Sequence, residues 1–212
     1  MKLLLTGDSI IARKEGLKEP RINAEIKEKI PSTNLVNTAV SGINSGAFYA
    51  LLPDLVLKVE RCDKLILLLG TNDLALHKNV PVTQFSKNMS LIISSVICLY
   101  YPQNVILISP PAVDETRQKK RNNREIAIYT TELIKLAETY NLNFINLFQA
   151  MIKHGDLKTL CQGQLNDGLH FGTEGYKLLS DLLVNELKSL KILLYFVCYR
   201  VNSKVYNLFV IL

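Results

Sequence analysis

The chain has 212 residues, of which 48% are hydrophobic, and this is enough for one domain with a well-buried core. Its net charge of +6 permits an anionic substrate without requiring one, and it lacks the dense basic surface with interleaved aromatic residues that is typical of nucleic-acid-binding proteins. The four cysteines lie far apart and form no C-x-x-C pair, so no zinc site or other metal centre is expected.

Short apolar runs alternate with helical patterns along the chain. The first run starts almost directly at the N-terminus, without the hydrophobic stretch and cleavage site of a secretory signal, and we therefore expect a cytoplasmic, reducing location. The run at 65–69 is apolar at every position, which predicts a strand that is buried on both faces. Strands are predicted at 2–6, 35–40, 64–69, 105–109 and 143–146.

Four apolar stripes with helical spacing lie between and after these strands. The first is stopped by Pro31, the second begins near Pro81, and the last follows Thr173, which we expect to be its N-cap. Alternating strands and helices predict an α/β fold, a three-layer α/β/α sandwich with a central parallel five-stranded sheet. The stripes consist of Ile22, Ile26 and Ile30; Phe85, Met89, Ile92, Val96 and Leu99; Ile126, Tyr129, Leu133, Leu136 and Tyr140; and Tyr176, Leu179, Leu183, Leu187 and Leu190.

The segment 191–212 does not continue this alternation. Two mostly apolar runs flank the polar stretch 200–204, and neither run is long enough to span a bilayer. We therefore predict one domain at 1–190 and an apolar extension at 191–212. The extension either adds packing or is dispensable, which we favour, or it offers a surface for homo-oligomerisation or membrane contact.

Four polar segments stand where strands end or where a loop returns to the same edge of the sheet. The tripeptide Gly7-Asp8-Ser9 follows the first strand and places a hydroxyl in a strand-to-loop turn. Because the carboxyl ends of parallel strands meet at one edge, all four segments can lie together there. The other three are NTAVSG at 37–42, GTND at 70–73 and DGLH at 167–170.

These residue types fit acyl-transfer chemistry. A serine hydroxyl needs a base to take its proton, and a histidine base needs a group that fixes its orientation. The spacing D-x-x-H lets one short loop supply both. A backbone N–H at a glycine turn and a side-chain amide can stabilise the oxyanion, and losing one such donor typically costs about 3 kcal/mol.

The four segments resemble the signature blocks of the SGNH hydrolases, also called GDSL esterases/lipases. The first block reads GDSI here, with Ile10 in place of the usual leucine, and the similarity covers about residues 2–190. The segment SPPAVDE at 109–115 and the DGLH form of the last block are similar to the isoamyl-acetate-hydrolysing branch, although more loosely.

The resemblance implies a role for each matching residue. Ser9 would be the nucleophile, His170 the base and Asp167 the group that orients it. The oxyanion hole would consist of the Ser9 N–H, the Gly42 N–H and the Asn72 amide. No cofactor is implied, and the expected sheet is of the SGNH or flavodoxin-like kind.

We therefore predict a serine esterase that acts on small esters such as acetyl esters, since short connections leave no room for a large lid. The alternatives are a carbohydrate O-acetylesterase, a lysophospholipase, an acyl-thioesterase or a non-catalytic SGNH-like binding protein. The basic run at 117–124 is compatible with an anionic acyl donor, but we favour a solvated loop and helix start. We expect Asp8 and Asp73 to be structural and His77 to lie at the surface.

Overall fold

Five parallel strands form a single sheet in the order β2-β1-β3-β4-β5 in the computed structural model, which describes residues 1–189. The predicted α/β/α fold is confirmed, whereas the predicted extension 191–212 lies outside the described residues. The strands are β1 (Lys2–Gly7), β2 (Asn34–Asn37), β3 (Lys64–Leu68), β4 (Val105–Ile108) and β5 (Asn143–Ile145).

Helices connect the strands and follow the last one. The four apolar stripes correspond to α2, α4, α5 and α8, whereas the sequence patterns do not predict the shorter helices. The stripes extend too far at their ends, since Ile30 and Tyr140 are C-cap residues and Leu99 lies after α4, and Leu190 lies outside the described residues. None of the helices within residues 1–189 combines the length and the apolar character needed to cross a membrane. The helices are α1 (Ser9–Ala12), α2 (Arg21–Lys29), α3 (Ser45–Leu52), α4 (Val82–Val96), α5 (Asn123–Thr139), α6 (Leu147–His154), α7 (Leu157–Leu160) and α8 (173–189), with a π-helical turn at Pro53–Leu57 and a 3-10 turn at Pro102–Asn104.

The direction of each connection decides which face of the sheet a helix covers. From β2 to β5 every connection crosses the sheet in the same direction, so right-handed crossovers place α3, α4 and α5 on one face, where they pack in series. The connection from β1 to β2 runs the opposite way and places α2 on the other face. There, Lys29 of α2 donates to Asp181 of α8 at 2.6 Å, and the Tyr176 hydroxyl donates to the Ile10 carbonyl at 3.0 Å.

The core lies on both faces of the central strands. Every residue of β3 and β4 is buried, as the unbroken apolar run predicts for β3. One stripe of α4, which includes Phe85, Met89 and Ile92, is fully buried against this sheet. The rigid centre therefore holds the carboxyl ends of β1 and β3 in fixed positions.

Two strands end earlier than the apolar patterns predict, each at or beside an asparagine. β2 ends at Asn37, where the Asn37 side chain accepts a hydrogen bond from the Ala39 amide at 3.1 Å, although the amides of Thr38 and Val40 still donate to carbonyls of β1. β5 ends at residue 145 because the Asn146 side chain caps α6 through the Gln149 amide. The last helix begins at Thr173, so this residue lies in its first turn and not before it.

Candidate active site

Ser9 is the first residue of α1 and is separated from the end of β1 only by Asp8. The carboxylate of Asp8 accepts a hydrogen bond from the Ile10 amide at 2.9 Å and thereby starts this helix. Gly7 has a φ of +136°, and a Cβ there would lie 2.0 Å from the carbonyl oxygen of Leu68, so only glycine fits beside β3. The Ser9 N–H belongs to the first turn, where amides have no acceptor within the helix.

Ser9, His170 and Asp167 form a hydrogen-bonded chain, although Ser9 lies far from the other two in the sequence. Ser9 Oγ is 3.0 Å from His170 Nε2, and His170 Nδ1 is 2.8 Å from Asp167 Oδ2. The other carboxylate oxygen of Asp167 accepts the amides of Leu169 and His170, both at 3.0 Å. Partial burial by itself would raise the Asp167 pKa, but these bonds outweigh it and hold the pKa well below its usual range.

The connection between β4 and α5 supports the loop that carries His170. We expect short connections between the elements from the sequence, but this connection, 109–122, is long. It contains the segment SPPAVDE. The Asp114 amide donates to the Gly168 carbonyl at 2.8 Å, and the Gln118 side chain donates to the Asp167 carbonyl at 3.2 Å. Hydrogen bonds from the connection 109–122 thus fix the backbone around Asp167 and His170.

Gly42 and Asn72 line the same cavity from the turns that follow β2 and β3. Gly42 forms the turn after β2 with a φ of +81°, a conformation that glycine adopts without strain. Asn72 is only 7% exposed, and its amide nitrogen donates to the Ile43 carbonyl at 2.9 Å. Since an amide group has two N–H bonds, the second remains for another acceptor while the first fixes the side chain.

The topology explains why these residues meet. β1 is the strand at which the chain reverses its direction across the sheet, and ligands in such sheets bind outside the carboxyl ends of the strands at this point. Ser9 follows β1, and Asn72 follows its neighbour β3. The structure brings Ser9, Gly42, Asn72, Asp167 and His170 to one cavity of about 540 Å³.

Asp8 and Asp73 are both buried and make structural hydrogen bonds. Asp73 accepts the amide of Ser45 at 3.0 Å and also its hydroxyl, and burial raises the pKa of Asp73. Burial also raises the pKa of Asp8 to about 6, against the opposing charge of Arg121. Among residues 1–189, Asp167 is the carboxylate bonded to the His170 ring.

Basic side chains that we do not assign from the sequence also line the cavity. They come partly from the run 117–124, so part of this run faces the cavity in addition to forming a loop and helix start. His77 is exposed, as expected, but it lines the cavity as well. The basic lining residues are Arg13, Arg117, Lys119, Lys120 and Arg121.

Comparisons with known proteins find a matching family, similar relatives and similar structures. Residues 5–178 match the model of the GDSL-like Lipase/Acylhydrolase family. The isoamyl acetate-hydrolyzing esterase of Saccharomyces cerevisiae is 27% identical over 209 residues, which cover 89% of this chain and 86% of the relative. The crystal structure of a lipase/acylhydrolase from Enterococcus faecalis has a TM-score of 0.78 and 29% identity, and the match covers 89% of this chain and 95% of that one.

A more distant structure shares the fold. The acetylxylan esterase Axe2 from Geobacillus stearothermophilus has a TM-score of 0.68 at 20% identity, with 87% of this chain and 93% of Axe2 covered. At this identity the likeness concerns the arrangement of strands and helices alone.

Proposed function

Since the chain belongs to the GDSL-like lipase/acylhydrolase family of SGNH hydrolases and is a carboxylic ester hydrolase, we propose that it cleaves small esters through Ser9. The observation that carries this proposal is the chain of two hydrogen bonds, 3.0 Å and 2.8 Å, from Ser9 through His170 to Asp167. It supplies a nucleophile, a base and an orienting carboxylate in one line.

The reaction proceeds in two steps. Ser9 Oγ forms a bond to the ester carbonyl carbon while His170 Nε2 takes the hydroxyl proton. The carboxylate of Asp167 stabilises the resulting imidazolium through Nδ1. When the tetrahedral intermediate collapses, the bond to the alcohol breaks and His170 gives the proton to the leaving oxygen. Water then attacks the acyl-enzyme with the same proton transfers, which releases the acid and restores Ser9.

Three donors stabilise the oxyanion in this mechanism. They are the N–H of Ser9, the N–H of Gly42 and the second N–H of the Asn72 amide. The bond from Asn72 to the Ile43 carbonyl orients this amide before substrate arrives, so little reorganisation is needed in the transition state.

The character of the cavity supports a short acyl group. Leu169 is the only aliphatic or aromatic side chain among the described residues that line it, and the others are polar, charged or glycine. A long acyl chain gains most of its binding free energy from apolar walls, at about 0.8 kcal/mol for each buried methylene group. Acetyl and similarly short esters are therefore the proposed substrates.

The decisive experiment replaces Ser9 with alanine and measures hydrolysis of p-nitrophenyl acetate. Turnover should be abolished while the thermal midpoint changes little, because the substitution removes only a hydroxyl whose hydrogen bond in the described structure is to His170. Ser95→Ala is the matched control, since the Ser95 hydroxyl bonds only to a carbonyl of its own helix and lies outside the cavity. Retained activity in Ser9→Ala would overturn the assignment of the nucleophile.

A second experiment separates the alternative functions. A fluorophosphonate probe should label Ser9 in the intact protein and not in Ser9→Ala, whereas a non-catalytic binding protein would remain unlabelled. A series of p-nitrophenyl esters from acetate to decanoate, together with acetylated sugars and an acyl thioester, then identifies the preferred acyl donor. We expect the rate to fall as the chain lengthens.

We also propose a cytoplasmic location for the protein. The three cysteines within residues 1–189 are free thiols, which fits the proposed cytoplasmic location. Homo-oligomerisation through the extension at 191–212 is a prediction that size-exclusion chromatography of the full chain would test.

A further inference from the structure

We propose that the ester carries an anionic group, a phosphate or a carboxylate, on its alcohol part. This inference rests on the proposed esterase function and concerns the same cavity. The cavity beside Ser9 is lined by five basic side chains but by a single carboxylate, Asp167, whose charge is already engaged by His170. The lining therefore has an excess of positive charge at the place where the substrate binds.

Most of this charge has no partner in the described part of the protein. Arg13 pairs with Glu15, and the carboxylates of Asp8 and Asp167 face the charge of Arg121. None of the ion pairs within residues 1–189 includes any of the other basic residues of the cavity. Like charges that converge on a concave site repel one another, and an incoming anion relieves this repulsion. The residues without a charged partner are Arg117, Lys119 and Lys120.

Backbone contacts fix the segment that carries these charges. Arg121 donates from Nε to the carbonyl of Thr71, next to Asn72, and the Lys120 carbonyl accepts the amide of Leu76 at 3.1 Å. The segment is thus tied to the loop after β3. Because its backbone is held in place, less freedom is lost when its side chains bind an anion.

His77 lies next to the segment 117–121 and is exposed to the same positive charges. Its pKa is lowered, first by desolvation and then by the charges of Lys120, Lys78 and Arg121. Lys78 also donates to the Gly42 carbonyl at the rim of the cavity. Cations of the segment 117–121 therefore line the cavity, and Lys78 adds a further charge beside it at Gly42.

The alcohol part is the better place for the anionic group for two reasons. The acyl part is proposed to be short, so it has no room for a charged extension. In addition, the leaving alcohol takes its proton from His170, and Arg117 packs against the loop that carries this residue, with its Cβ 3.0 Å from the position of a Cβ at Gly168. An anion attached to the alcohol can therefore reach Arg117 and Lys120.

The test compares esters that differ in charge. 4-Acetoxybenzoate and 4-acetoxyphenyl phosphate carry an anion on the alcohol part, and methyl 4-acetoxybenzoate is the neutral reference. The variants are Arg117→Gln, Lys120→Gln and the double variant. The ratio of kcat/KM for an anionic ester to that for the neutral ester should fall about threefold in each single variant and about tenfold in the double variant. Use of ratios removes differences in intrinsic reactivity between the esters.

Arg124→Gln is the matched control, because it removes one charge from the same basic run but does not line the cavity. Its ratio should equal that of the parent protein. A fall of similar size in Arg124→Gln, or an unchanged ratio in the double variant, would overturn the proposal. The two anionic esters tell a carboxylate site from a phosphate site by which ratio responds more strongly.

Esters with a charged acyl part test the alternative, in which the anionic group lies on the acyl part. If the ratio for p-nitrophenyl hemisuccinate over p-nitrophenyl butyrate is the one that responds to Arg117→Gln and Lys120→Gln, the assignment to the alcohol part is wrong. The proposed function is tested separately: the neutral ester should be hydrolysed by the parent protein and not by Ser9→Ala. Failure of the charge preference alone therefore leaves the esterase assignment intact, whereas no hydrolysis of any ester overturns both.

Discussion

Replacement of Asn72 with alanine removes two interactions that the structure separates clearly. One is the donor proposed for the oxyanion, and the other is the 2.9 Å hydrogen bond to the Ile43 carbonyl. The first affects only the transition state. The second affects the folded state, because Asn72 is 93% buried and the Ile43 carbonyl loses its side-chain donor.

The two losses have different magnitudes and different readouts. Loss of one oxyanion donor raises the barrier by about 3 kcal/mol, so kcat should fall roughly 10²- to 10³-fold with little change in KM. Loss of the buried hydrogen bond costs about 1–3 kcal/mol, which lowers the thermal midpoint by roughly 3–8 °C for a domain of this size. Initial rates with p-nitrophenyl acetate and thermal unfolding by circular dichroism measure the two effects separately.

Asn88→Ala is the matched control. Asn88 is 8% exposed, and its amide donates one hydrogen bond of 2.9 Å, to the Ser45 hydroxyl, but it does not line the cavity. This variant should lose stability to a similar extent while kcat of the folded protein stays within about threefold of the parent value. A kcat for Asn72→Ala that falls no further than that for Asn88→Ala would refute the role of Asn72 as an oxyanion donor.

Further substitutions test the catalytic carboxylate, the buried Asp8 and the glycine beside β3. Asp167→Asn keeps an acceptor for the backbone amides but removes the charge beside the histidine, so kcat should fall roughly 10²- to 10⁴-fold, less than in Ser9→Ala, at an unchanged thermal midpoint. Burial raises the pKa of Asp8 to about 6, so the folded protein holds this proton more tightly than the unfolded chain does. Stability should therefore decline by up to about 3 kcal/mol as the pH rises from 4 through 6, and urea titrations of Asp8→Asn should show a flatter profile. Gly155→Ala meets open space and should cost only about 1–2 kcal/mol for its positive φ, whereas Gly7→Ala also clashes with a backbone carbonyl and should lower the urea midpoint much further.

The sequence predicts the sheet well because burial leaves a direct pattern. The apolar run at 65–69 and the stripe through Phe85, Met89 and Ile92 can be stable only if they are covered, and both are buried in the structure. The short helices α3, α6 and α7 escape prediction because a helix of one or two turns shows too few positions for a periodic pattern.

The polar ends of β2 and β5 are less predictable. The Asn146 side chain accepts the Gln149 amide and starts α6 where the strand could have continued, and the Asn37 side chain accepts the Ala39 amide where β2 ends. An apolar pattern does not reveal which of these interactions is favoured, so the predicted ends extend too far.

The sequence by itself determines the identity of the candidate site. Ser9, Gly42, Asn72, Asp167 and His170 each stand after a predicted strand or before a predicted helix, and parallel strands send such residues to one edge. The order of these residues along the chain is therefore enough to predict that they meet.

Only the tertiary structure decides what surrounds them. The bond from Asn72 to the Ile43 carbonyl, the support of the His170 loop by Asp114, and the placement of Arg117 and Lys120 in the cavity all join residues far apart in the chain. A basic run on a solvated surface and one that lines a cavity have the same local sequence. The difference lies in which loop packs against the run, and that depends on the order of the strands in the sheet, which decides which loops are neighbours.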